Sequence, residues 1–197
     1  MKMNIIVAGI FCLSLAAACN PDRRTAQNEG YQDTTATDQE TVAIGEEGRI
    51  DDNTREFVNE AASSSMMEVE LGKLAQEKAN NQQVKDFGGM MVQDHSQANE
   101  RLKSIAQNKN IQVPSTMMEK HQQQVDRLRN LSGQEFDQEY VNLMVEAHEE
   151  DISKFEDKQG DVQDQELRQW VDNTLPTLRT HKEQIDQIKN SMGNTRS

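Results

Sequence analysis

Residues 66–102 read MMEVELGKLAQEKANNQQVKDFGGMMVQDHSQANERL, two helical periods that meet at Asn80-Asn81. Before the break, at about 100° per residue, Phe57, Ala61, Gly72, Ala75 and Ala79 share one face. Glu68 lies about 20° from Phe57, near the middle of that stripe, while Glu70 points the other way. After the break, Val84, Phe87, Gly88, Met91, Ala98, Leu102 and Ile105 form the apolar stripe, with His95 about 20° from Val84. Two helices joined by so short a break run antiparallel. Glu68 lies 12 residues before Asn80 and His95 14 after Asn81, so both sit about 20 Å from the turn at 1.5 Å per residue. They share one level inside a helical hairpin.

Working outward, breakers divide the chain from Asn53 onward into five helical segments. Helix A spans about 53–79 and helix B about 82–109, ending before Val113-Pro114. A shorter helix C is predicted from a Ser115 cap to Leu131, with Gly133 ending it. Helix D covers about 134–158, stopping at Gly160, and helix E about 162–191, with a local kink expected at Pro176. No strand alternation appears. The short A–B and D–E connections imply two antiparallel hairpins, with helix C as the crossover between them. The expected fold is all-α, a ferritin-like four-helix bundle with an extra short crossover helix. The alternative is a simple up-down bundle carrying one additional helix.

Helix D's stripe (Tyr140, Met144, Ala147, Ile152, Phe155) contains His148 and Asp151, and helix E's (Leu167, Trp170, Val171, Leu178, Ile185, Ile188) contains His181. Each long helix thus carries an ionisable group on its apolar side. Such groups are costly to bury alone and should converge on one another or on an ion. Glu68, His95, His148 and His181 are the candidate metal ligands, a carboxylate and imidazoles inside a bundle. Met91, Asp94, Tyr140, Met144 and Asp151 are the secondary candidates. Met91 and Met144 each stand one turn from a histidine, and soft sulfur beside imidazole suits copper. Iron in a carboxylate site would want Glu-x-x-His pairs, and the chain offers only Met91-x-x-Asp94-His95 and His148-x-x-Asp151. Counted from Gly160, His148 and His181 differ by roughly 13 Å in level, so they are not expected to share an ion unless the kink shifts the register. His181 is instead level with Tyr140. His121, with Val125 and Leu128 on helix C, reads as packing. A purely structural polar cluster is the competing reading of the interior groups.

The N-terminus carries a different message. After Lys2 comes an uncharged run of 14 residues, Ile5–Ala18, too short to span a bilayer but typical of a signal peptide's apolar region. It leads through Leu15-Ala16-Ala17-Ala18 to Cys19, which resembles a lipobox, although Ala16 stands where a large aliphatic is usual. Residues 1–18 are therefore read as a lipoprotein-type signal and Cys19 as the lipidated residue, with ordinary cleavage after Ala-x-Ala as the alternative. Cys12 would leave with the signal, so no disulfide within the mature chain is expected. Residues 19–52, rich in Asp, Glu, Thr and Gln, are too polar to fold and read as a disordered tether. The bundle domain is expected over 53–192 and a disordered tail over 193–197. A net charge of −13 repels nucleic-acid phosphates and excludes nucleic acid as a partner. The expected location is the cell envelope, periplasmic or outer-membrane-anchored, with the membrane reached through the lipid on Cys19.

The quoted stretch, together with LSGQEFDQEYVNLMVEAHEEDISKFE (131–156) and LPTLRTHKEQI (175–185), resembles the domain of unknown function 4142 family. The resemblance covers about residues 54–190 and implies a ferritin-like bundle exported to the bacterial envelope, without assigning an activity. The family's recurring polar positions fall on Glu68, Asp94, His95, Tyr140, His148 and His181. Two functions follow as expectations. One is a lipid-anchored bundle binding a transition metal, copper or iron, in envelope stress or metal handling. The other is a metal-free structural module that engages an envelope protein partner. No nucleophile–base pair, phosphate loop or reactive thiol points to an enzyme.

Overall fold

The computed structural model describes residues 50–194; the signal stretch, Cys19 and nearly all of the tether lie outside the described residues. Five helices follow in order: α1 (Asp52–Lys78), α2 (Gln82–Asn108), α3 (Glu119–Arg129), α4 (Gly133–Gln159) and α5 (Gln165–Asn194), with no strand among the described residues. None of these helices is long and apolar enough to cross a membrane.

Local chemistry sets the helix starts. The Asp51 carboxylate accepts a hydrogen bond from the Thr54 N–H and opens α1, and the Asn81 side chain accepts from Gln83 N to open α2. Asp164 does the same for α5, accepting from Glu166 and Leu167 N–H groups. The α3 start departs from expectation. Ser115 does not cap it; the helix begins at Glu119 behind Met118, whose side chain makes no capping bond. A tertiary contact overrides the local signal: Met118 N donates to Ser63 Oγ on α1 at 2.7 Å and fixes where α3 begins.

α1 pairs with α2 and α4 with α5, while α1 also packs on α4 and α2 on α5. Along α1 and α4 the contacts run Phe57–Phe155, Ser64–Asp151 and Asn80–Asp137, so these helices are antiparallel. Along α2 and α5, Gln83 meets Ser191 and Asp94 meets His181, again antiparallel. α2 and α4 therefore point the same way, and the chain must travel back along the bundle between them. α3 makes that journey beside α1: its Lys120 pairs with Glu60 and its Arg129, one end later, with Glu70. This is the all-helical bundle with one long crossover that the sequence pattern implied.

The apolar interior is split in two. One cluster gathers Leu71, Val84, Phe87, Phe136, Tyr140 and Ile185; the other gathers Phe57, Leu102, Ile105, Phe155, Trp170 and Val171. Between them every long helix contributes an ionisable side chain.

Candidate metal centre

That layer contains Glu68 from α1, His95 from α2, His148 from α4 and His181 from α5, all buried. A ring nitrogen from each of the three histidines lies within 4.8 Å of those of the other two. The ring centroids are 5.3 Å apart for His95–His181, 5.4 Å for His148–His181 and 5.7 Å for His95–His148.

The expectation that His148 and His181 stand on different levels is corrected by this geometry. Gln159 reaches Asp172 and Lys182 reaches Glu149, so α4 and α5 mirror each other about residue 165 and not about Gly160. The cause is the connection: residues 160–164 are not helical, and Val162 tucks into the apolar core before Asp164 opens α5. Counting rise from Gly160 assigned helical length to a segment that has none. No appeal to Pro176, which stays inside α5, is needed.

His148 and His181 each have one nitrogen hydrogen-bonded and the other without a partner among the described residues, and His95 has one nitrogen beside a carboxylate and the other without a partner. His148 Nδ1 lies 2.9 Å from the Met144 carbonyl, which can only accept, so Nδ1 carries the proton and Nε2 the lone pair. His181 Nε2 sits 3.0 Å from the Asp94 carboxylate, so Nε2–H donates and Nδ1 keeps its lone pair. His95 Nδ1 lies 2.8 Å from Glu68 Oε2, and the other Glu68 oxygen is 3.5 Å from His148 Nδ1. The Glu68 contacts are close but not aligned as hydrogen bonds. Glu68 Oε1 and Oε2, His95 Nε2, His148 Nε2, His181 Nδ1 and the Tyr140 hydroxyl have no hydrogen-bond partner among the described residues.

Burial governs the protonation states. It takes His95, His148 and His181 down to about 4, outweighing the attraction of Asp151 and Asp94 for His95, of Glu68 for His148 and of Asp94 for His181. It pushes Glu68 up to about 7 against the lowering effect of His148. Asp151 also rises to about 7, from burial first and the Glu68 charge second. Near neutral pH the rings are thus neutral, the form in which imidazole donates to a metal.

The other expected residues take defined places around this layer. Asp94 stands behind His181, and Asp151 accepts a 2.7 Å hydrogen bond from Ser64 on α1. Tyr140 stacks on Phe136 and meets the edge of Phe87, which also faces His148 and His181. Met91 and Met144 are buried in the neighbouring apolar cluster. His121 lies apart, its Nδ1 2.7 Å from Ser63 Oγ. Sequence reasoning missed Ser64 and Phe87 as supports of the layer, and Ser63 as the partner of His121. The serine run 63–65 inside a helix was a usable signal, since serine disfavours helix interiors unless its hydroxyl has other work.

On one side the layer reaches the surface. A groove of about 510 Å³ between α2 and α5 has Asp94, His95 and His181 in its wall.

Fold and site together define an all-helical bundle protein with a buried imidazole–carboxylate centre contributed by all four long helices. The chain belongs to the family of the domain of unknown function DUF4142, whose model matches residues 39–188. No curated protein and no solved structure matches it.

Proposed function

We propose that this is a lipid-anchored, ferritin-like envelope protein that binds a transition metal through His95, His148 and His181. The observation that carries the reading is the state of the rings. His148 and His181 each have one nitrogen hydrogen-bonded to a protein group, His95 has Nδ1 2.8 Å from the Glu68 carboxylate, and the remaining nitrogen of each ring has no partner among the described residues. Metal-binding histidines have this arrangement, a carboxylate or carbonyl on the far nitrogen fixing tautomer and ring angle. Met144 O, the Asp94 carboxylate and Glu68 are those supports. Glu68 meets Nδ1 of His95 and of His148, the side of each ring away from the free nitrogens, so it orients the ligands and offsets the ion's charge. A structural polar cluster would satisfy its own members, because an unpaired buried polar atom costs about 1–3 kcal/mol. Five such atoms on Glu68, His95, His148 and His181 favour an ion over a self-contained network.

Imidazole donors suit copper, iron and zinc, and a copper or iron ion would add redox chemistry. The histidines hold the ion, Phe87 shields it, and Asp94 keeps the His181 Nε2 proton in place. The envelope location is supported by the apolar run ending in Cys19.

The test is metal analysis of the purified protein, followed by titration with Cu(I), Fe(II) and Zn(II) of wild type and of His95→Ala. One ion per chain is expected, with affinity reduced by more than the roughly 10–100-fold that loss of a supporting residue causes. Absence of binding to wild type by all three ions would sink the reading.

A further inference from the structure

We propose that the groove between α2 and α5 binds a small organic carboxylate, one end reaching the metal and the other reaching Arg101. The inference rests on the metal reading above and adds the class of ligand that the centre receives.

Three protein nitrogens leave a metal at least one coordination position to be filled from outside, the pattern of metal sites that act on a ligand rather than merely brace a fold. The approach is asymmetric. Glu68 and His148 are fully buried against α1 and α4, whereas His95 and His181 form part of the groove wall. The groove's about 510 Å³ lies within the 300–1,000 Å³ usual for small-molecule sites and far exceeds the ~30 Å³ share of one water. Its walls are polar and aromatic: Trp170, held by its Nε1–H to the Ala98 carbonyl at 3.1 Å, and Thr177 on the α5 side.

Charge selects the ligand. Three acidic or basic side chains line the groove, Asp94, Glu166 and Arg101. Asp94 is engaged by His181, and Glu166 pairs with Lys109 at 2.9 Å. Arg101 is exposed and forms no ion pair among the described residues, so its planar fork is free for a carboxylate. It follows His95 by six residues, roughly 9 Å along the helix axis. Helical side chains tilt toward the helix N-terminus, here toward His95, which shortens that span to one that a molecule of about four or five carbons bridges. A divalent ion among neutral imidazoles attracts the same anionic class.

The test uses the full chain loaded with Cu(II). Azide should bind the copper and produce a ligand-to-metal charge-transfer band. Succinate should displace azide about tenfold more tightly than acetate, the equilibrium equivalent of one charge-assisted hydrogen bond. Arg101→Gln should erase that difference, leaving azide binding and copper content as in wild type. Thr177→Trp, a substitution at an exposed groove position, should abolish azide and succinate binding with copper content retained. Equal competition by acetate and succinate in wild type, or undiminished ligand binding in Thr177→Trp, would overturn the proposal. Copper uptake without azide binding would overturn it alone; absence of copper uptake would overturn it together with the metal reading.

Discussion

A Cβ placed on Gly72 would lie 2.5 Å from the carbonyl oxygen of Gly88, so α1 and α2 cross backbone against backbone. A Cβ on Gly88 would in turn lie 2.7 Å from both the Gly72 oxygen and the Ala75 Cβ. Gly72 is one turn from Glu68, so the crossing also sets the gap that Glu68 and His95 close. Neither neighbour can swing aside, because backbone and a methyl have no rotamer to change. Gly72→Ala and Gly88→Ala should each destabilise by about 1–3 kcal/mol, the overpacking cost exceeding the ~1 kcal/mol helix-propensity gain. Gly89→Ala is the internal control. Its nearest neighbour is the flexible Gln76 side chain at 3.8 Å, and the propensity gain of about 0.5–1 kcal/mol should appear undiminished. Urea melts of the three variants check the opposite signs.

Asp137 closes the other end of this hairpin. Its two carboxylate oxygens accept from Asn80 N at 3.0 Å and Asn81 N at 2.9 Å, the donors exposed where α1 stops and α2 begins. It belongs to α4, so one buried side chain ties the two hairpins together. Asp137→Ala strands both amides and should cost about 2–3 kcal/mol, as expected for charge-assisted bonds. Asp137→Asn, which keeps one acceptor, should cost less. Equal losses in the two variants would show that packing, and not the paired acceptors, is what Asp137 supplies.

These contacts show where sequence could and could not reach. Glu68 and His95 were legible as partners because only a short break separates their helices, so helical rise alone fixes their levels. His148 and His181 were misplaced because the five-residue segment before α5 folds inward without helical rise, which periodicity cannot register. Asp137 carries no signal in the sequence pattern, because its partners Asn80 and Asn81 stand 57 and 56 residues away. Ser63 and Ser64 are helical serines whose partners, His121 and Asp151, stand 58 and 87 residues away. Helix type follows from local period; the pairing of small polar residues depends on the crossover, which only the assembled bundle fixes.

The metal-free protein should show a pH-dependent contribution from Asp151. Its carboxyl titrates near 3.8 when unperturbed and, under the burial it meets in the fold, near 7. Across that window the folded chain keeps a proton that the unfolded chain releases. The stabilisation is therefore fully present below about pH 4 and lost as pH rises through about 7. Asp151→Asn retains an acceptor for the Ser64 hydroxyl and cannot ionise. Its stability relative to wild type should improve between pH 4 and pH 8 by on the order of 2–4 kcal/mol. The buried histidines titrate in both proteins and cancel in the difference to first order. Parallel stability–pH curves would mean that Asp151 ionises in the fold without penalty.

Asp94 offers the sharpest separation of support from ligation. It accepts from His181 Nε2 at 3.0 Å and thereby leaves Nδ1 with the lone pair and no partner among the described residues. Asp94→Asn keeps an acceptor but loses the charge, and should weaken metal binding about tenfold. Asp94→Leu removes both and frees the ring to adopt the other tautomer or turn, so a loss nearer a hundredfold is expected. Neither variant removes a ligand, and metal content at saturation should equal that of wild type, unlike His181→Ala. Nitrogen-15 NMR of the imidazoles supplies a readout that simple destabilisation would not move. In metal-free wild type the His181 proton should reside on Nε2, and in Asp94→Leu it should redistribute toward Nδ1. Unchanged affinity combined with an unchanged tautomer would show that His181 is oriented by the surrounding rings alone, without the carboxylate.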